Sequence, residues 1–90
     1  MTPDRRVDLW FDTDCPLAAS VRRLVAACIA EARPGWVLHE HRDAGVVSPT
    51  VLVAGEPVAG VELVRARGCR LRVPTREEVL AMLRTAEAAS

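Results

Sequence analysis

Near the start of the chain Val7, Leu9 and Phe11 alternate with Asp8 and Trp10, the period of a strand covered unequally on its two faces. The run from Asp12 to Pro16 reads as a turn into a helix, because proline at the first helical position gives up only an amide that had no partner. That places Cys15 at the N-cap. Leu17, Val21, Leu24, Val25, Cys28, Ile29 and Ala32 recur at three- and four-residue intervals and predict an amphipathic helix of about four turns, closed by Pro34 and Gly35.

Trp36 to Arg42 is extended again but carries two histidines and a glutamate, which fits an edge or half-exposed strand. A strand, helix, strand unit of this kind has its two strands parallel. Asp43 to Ser48 reads as a short link, and Thr50-Val51-Leu52-Val53-Ala54 as a strand buried on both faces near the centre of the sheet. Gly55, Glu56 and Pro57 are expected to form the next turn, with Val58 starting the returning strand. Residues 60–68 fit either a strand or one helical turn. Cys69, Leu71 and Val73 then alternate with Arg70 and Arg72 as a half-buried strand whose apolar face includes the cysteine. Thr75 with Glu78 is a capping box, and Val79, Leu80, Leu83 and Ala86 are the apolar stripe of a last helix.

The pattern predicts one α/β domain over residues 1–90, with a mixed four- to five-stranded sheet and two main helices. Leu9, Leu24, Cys28, Ile29, Val51, Val53 and Leu83 are its expected core. Ninety residues leave no room for a second core. Half of them are apolar and 27% are charged, the balance of a folded domain and not of a disordered tail. Twelve basic residues against twelve acidic ones give no global field toward nucleic acid or an anionic membrane, and aromatics are too few for base stacking. No stretch approaches the roughly 18 apolar residues of a membrane span, and the first eleven residues lack the apolar core of a signal peptide. A cytoplasmic monomer or small homo-oligomer is the expectation.

Cys15, Cys28 and Cys69 are an odd number at irregular spacing, which does not read as a disulfide scaffold. A thiol at a helix N-terminus sits where unpaired amides favour the thiolate, whereas Asp12 and Asp14 nearby oppose it. Cys15 is thus either a nucleophile or an inert residue of the helix start. Cys28 falls on the apolar helix face and reads as core. Cys69 is either part of a half-buried strand with a solvated basic face, or a thiol activated by Arg65, Arg67, Arg70 and Arg72. His39 and His41 share one strand face, but nothing spaced to complete a metal site accompanies them. No Gly-rich phosphate loop and no motif calling for a cofactor is present.

The β-α-β-β-β-α order, Cys15-Pro16 after the first strand, Ser48-Pro49-Thr50 before an apolar strand and Cys69-Arg70 ahead of the last helix together resemble the thioredoxin-like superfamily. Within it the chain is similar to short proteins with a Cys-Pro helix start, a Ser-Pro-Thr strand and a later Cys-Arg, some of them linked to organomercurial lyases. The resemblance implies a cis Pro49 packed against Cys15, and Cys69 as partner of Cys15, either as resolving thiol or as second ligand of a soft metal. Pro49, Pro16 and Asp14 are the candidate substrate-binding residues. Two departures stand out. The motif reads Cys15-Pro16-Leu17-Ala18, so the usual second cysteine three residues on is missing, and only Asp43 to Ser48 stands where the superfamily usually has a helix. The expected function is a thiol-dependent redox or thiol-adduct protein acting on an unidentified protein or on a small thiol or electrophile. The alternatives are a non-catalytic protein-binding module and a soft-metal or organomercurial thiol-binding protein.

Overall fold

The computed structural model describes residues 5–58, 63–66, 68–69 and 73–88. In chain order its elements are β1 (Arg6–Phe11), α1 (Ala18–Glu31), β2 (Val37–Arg42), β3 (Val47–Ser48), β4 (Thr50–Val53), β5 (Glu56–Pro57), β6 (Gly68–Cys69) and α2 (Arg76–Ala88). Four strands make one mixed sheet in the order β2-β1-β4-β5, and β3 and β6 form a separate two-stranded ladder. β1 runs parallel to β2, with Val7 opposite Leu38, and antiparallel to β4, with Leu9 opposite Val51. The parallel pair needs a crossover, which α1 supplies. The chain is a small α/β domain with a mixed sheet and two helices.

Alternation along β1 sends Val7, Leu9 and Phe11 to the helical side, where they meet Val51 and Val53 of β4, Val21, Val25 and Cys28 of α1, and Val79, Leu80 and Leu83 of α2. Leu9, Cys28, Val51, Val53 and Leu83 are each 3% exposed or less, but Leu24 and Ile29, expected in the core, are only half-buried. Helical geometry explains the difference. Val21, Val25 and Cys28 form the centre line of the buried stripe, and Leu24 and Ile29 lie roughly 70° to either side of it at 3.6 residues per turn. They pack against the rim of the core instead.

β2 is an edge strand, with Val37, His39, Glu40 and Arg42 exposed. Trp36 falls just outside it and is buried, its indole N–H donating to Glu87 Oε1 at 2.8 Å and tying the α1–β2 corner to the end of α2. The strand after β4 returns two residues earlier than expected, at Glu56 and not at Val58. Ala54 and Gly55 both adopt positive φ, at 50° and 84°, the requirement of a two-residue hairpin whose twist matches its strands. Glu56 and Pro57 therefore form β5, where an edge position tolerates proline. At the C-terminal helix the capping box forms in both directions: the Thr75 N–H donates to Glu78 Oε1, and the Glu78 N–H donates to Thr75 Oγ1. No helix among the described residues is long and apolar enough to cross a membrane.

Asp43 to Ser48 is more than a link. Val46 is fully buried, the Val47 N–H donates to the Val64 carbonyl at 2.9 Å, and Val47 and Ser48 pair in parallel with Gly68 and Cys69. Of residues 60–68, left open between strand and helix, 63–66 are neither and Gly68 begins β6, while 60–62 and 67 lie outside the described residues, as do Arg70, Leu71 and Arg72 of the expected strand from Cys69 to Val73.

Candidate functional site

Phe11 ends β1, and the next four residues fold back on themselves. The Cys15 N–H donates to the Asp12 carbonyl at 3.0 Å, while the Asp14 N–H donates to Asp12 Oδ1. This turn corrects the expected helix start. Leu17 is the N-cap, without a side-chain cap, so Pro16 precedes the helix and Cys15 lies two residues before the cap. The Cys15 carbonyl, not its sulfur, faces the helix by accepting the Ala18 N–H at 3.2 Å. Any help from the helix dipole reaches Cys15 weakly, because that field falls off within the terminal turn.

Cys15 is 7% exposed and is joined to Cys69 in a disulfide, with 5.7 Å between their Cα atoms across 54 residues of sequence. Cys15 Sγ also lies 3.8 Å from the Ser48 carbonyl oxygen, and the Ser48–Pro49 peptide is cis with Pro49 fully buried. The ladder completes the arrangement, since Ser48 is paired directly with Cys69. Cys15, Ser48 and Cys69 thus meet at one point, immediately before Pro49 in the chain. Cys69 itself is exposed, not half-buried on an apolar face as expected. Of the arginines near it in sequence, Arg65 is turned away, pairing with Asp43 at 3.2 Å and lying over the Trp10 ring. Arg67, Arg70 and Arg72 are outside the described residues.

A cleft of about 330 Å³ opens against Cys15, walled by Phe11, Thr13, Pro16, Arg22 and Arg42 among others. Of the three expected substrate-binding residues only Pro16 lines it. Asp14 is exposed and absent from the wall, and Pro49 is fully buried and also absent from it. Arg22 reaches Glu40 at 3.3 Å, whereas the Arg42 guanidinium has no hydrogen-bond or ion-pair partner among the described residues. Two guanidinium groups against one carboxylate leave the wall net positive.

Cys28 is fully buried, with its thiol 3.8 Å from the Arg76 carbonyl oxygen, and burial pushes the thiol pKa up, away from reactivity. His41 is committed elsewhere: Nε2 sits 2.6 Å from Asp8 Oδ1, and the ring stacks on Trp10 with centroids 4.1 Å apart. Arg6 Nε donates to the same Asp8 oxygen at 2.9 Å. Burial raises the Asp8 carboxyl, but the hydrogen bonds and charges of His41 and Arg6 outweigh it and hold the pKa below its ordinary value. Among the described residues no three histidine, cysteine or acidic side chains are grouped to hold a metal.

Two features escaped the sequence reading. The Asp8–His41–Trp10 cluster was implicit in the alternation that put Asp8 and Trp10 on the second face of β1 and two histidines on one face of its neighbour. Ser48 carried no signal beyond its place before Pro49. No protein-family profile, curated protein or solved structure matches the chain.

Proposed function

We propose that the chain is a thioredoxin-like thiol–disulfide protein whose redox pair is Cys15 and Cys69, drawn from opposite ends of the sequence in place of a Cys-x-x-Cys motif. The observation that carries this reading is the joining of the two sulfurs beside Ser48, with Cys15 at the wall of a cleft. The Cys15 thiolate attacks one sulfur of a disulfide substrate and expels the other as a thiolate. Cys69, as thiolate, then attacks Cys15 Sγ in the mixed disulfide, releasing the second substrate thiol and closing the internal bridge. Two electrons pass to the substrate, and a thiol reductant returns the protein to its dithiol form. The net positive wall at Arg22 and Arg42 favours a small thiol or electrophile carrying an acidic group.

The test is to mix the reduced protein with a small symmetric disulfide and follow thiol release with peptide mapping under non-reducing conditions. Two equivalents of thiol and an internal Cys15-to-Cys69 link are expected, with Cys69→Ser halting at a mixed disulfide on Cys15 and Cys15→Ser releasing nothing. Dimers through Cys15 or Cys69 would replace the resolving role by a monothiol function. Unreactive thiols in the folded protein would leave a binding module. The adjacent sulfur pair also favours a second reading, capture of a soft metal or mercurial between two thiolates. Uptake of one such ion by the reduced protein, lost in either cysteine variant and without turnover of disulfides, would make that the better account.

A further inference from the structure

Among the described residues Ser48 Oγ is the one buried side-chain nitrogen or oxygen without a hydrogen-bond partner, and the residue is fully inaccessible. A hydroxyl removed from water with nothing to bond is unfavourable, and such orphans in a folded protein call for an explanation. Its surroundings supply one. Ser48 and Cys69 are directly paired in the parallel ladder, and paired residues of neighbouring strands send their side chains to the same face. Because the Cys69 side chain is committed to Cys15, the Ser48 hydroxyl leaves the backbone on the side of the sulfur bridge. From the other direction the Ser48 carbonyl approaches Cys15 Sγ at 3.8 Å. A disulfide sulfur is a poor acceptor, whereas a thiolate is a strong, charged one.

We propose that the Ser48 hydroxyl is the hydrogen-bond donor for the Cys15 thiolate, without a partner in the oxidised protein and satisfied in the reduced one. The inference rests on reading Cys15 and Cys69 as a redox pair. When a dithiol reductant attacks Cys69 Sγ, the bond between the two cysteine sulfurs breaks and its electron pair passes to Cys15 Sγ, which leaves as a thiolate. The reductant's second thiol loses its proton and displaces Cys69 from the mixed disulfide, Cys69 takes up that proton, and the reductant is released as its own cyclic disulfide. Two electrons have moved, and the new charge rests on Cys15. The nearby carbonyl repels that charge and the hydroxyl offsets the repulsion. Ser48 therefore favours the reduced state and the low-pH end of the thiolate range.

The titration is cleanest in a Cys69→Ala background, where the pH dependence of Cys15 alkylation reports the thiol pKa and buried Cys28 does not compete. Adding Ser48→Ala is expected to raise the Cys15 midpoint by about one pH unit or more, the scale of a hydrogen bond to a charged group. Ser48→Thr, which keeps the hydroxyl, is expected to return it toward the parent value. With both cysteines present, Ser48→Ala should shift the equilibrium with dithiothreitol at least about tenfold toward the protein disulfide. An unmoved midpoint and equilibrium would overturn the role of Ser48 and leave the redox pair intact. A folded Cys69→Ala protein whose Cys15 does not react at any pH would instead overturn the redox pair. If Ser48→Ala folds only when oxidised, the denaturation midpoint of that form decides: a rise on removal of the unpaired hydroxyl agrees with the proposal, and a fall makes Ser48 a packing residue and overturns it.

Discussion

Asp8 and Ser48 show how much a single residue's role depends on its neighbour in space. An aspartate in the middle of an apolar strand reads as a flaw until His41 and Arg6 are seen at 2.6 and 2.9 Å from its carboxylate. Because the folded pKa of Asp8 is depressed, its stabilisation is fully present above the unfolded value near 3.9 and is lost as pH falls through the lower folded value. Asp8→Asn is accordingly expected to lower the stability measured by denaturant titration at pH 7 by about 1–3 kcal/mol. The gap to the parent should close as the pH drops from 5 toward 3; a gap that stays constant would show that charge is not what Asp8 contributes. Arg42 makes a second prediction at this scale. Reduction of the bridge by 3-mercaptopropionate relative to cysteamine should fall severalfold in Arg42→Gln at low salt, and an unchanged ratio would remove the acidic-ligand preference. Alternation along each strand put Asp8 and His41 on definite faces, but which partners meet, His41 with Asp8 and Ser48 with Cys69, depends on the parallel register that sets the strands side by side.

At the scale of elements, the signals that survived were periodic or chemically explicit. The three- and four-residue spacing gave α1, the unbroken apolar run gave β4, and Thr75 with Glu78 gave the start of α2. Some of the misplacements were at ends, where one bond decides. Proline after Cys15 pointed to a helix start, but the backbone bond from Cys15 to Asp12 holds it in a turn, and the cap passes to Leu17. Spacing also overestimated the width of the buried stripe. Leu83→Ala, at 1% exposure, should cost about 2–5 kcal/mol, and Leu24→Ala about half as much because its side chain is only half-buried. Equal losses in chemical denaturation would mean that the rim of α1 packs as tightly as the centre of the core. In the β4–β5 hairpin a Cβ added at Gly55 meets nothing within 4 Å, so Gly55→Ala tests its positive φ alone and should cost about 1 kcal/mol.

For the molecule as a whole, the question is whether the link between Cys15 and Cys69 is a staple or a reaction centre. The parallel pairing of β1 and β2 around α1 and the interior place of β4 were legible, because a strand, helix, strand unit and an unbroken apolar run leave few arrangements. The small β3–β6 ladder was not, since two-residue strands have no period to read. That ladder and the bridge stand apart from the four-stranded sheet, while α2 is fastened by other means: Glu87 to Trp36 at the α1–β2 corner, and Arg76 to Glu31 of α1. Closing a loop of 54 residues stabilises a fold by about 4 kcal/mol in the chain-entropy account, against a total of about 5–13 kcal/mol for a domain of this size. Reduction should therefore lower the denaturation midpoint markedly while leaving a cooperative transition and native circular dichroism, as a protein that cycles between both states requires. Cys15→Ser with Cys69→Ser should come close to the reduced protein, because Leu9, Val51, Val53 and Leu83 are each 3% exposed or less and make up the centre of the core, whereas Cys15 is 7% exposed. If reduction abolishes the transition altogether, the bridge is a structural staple, and a redox cycle through it has no folded intermediate to pass through.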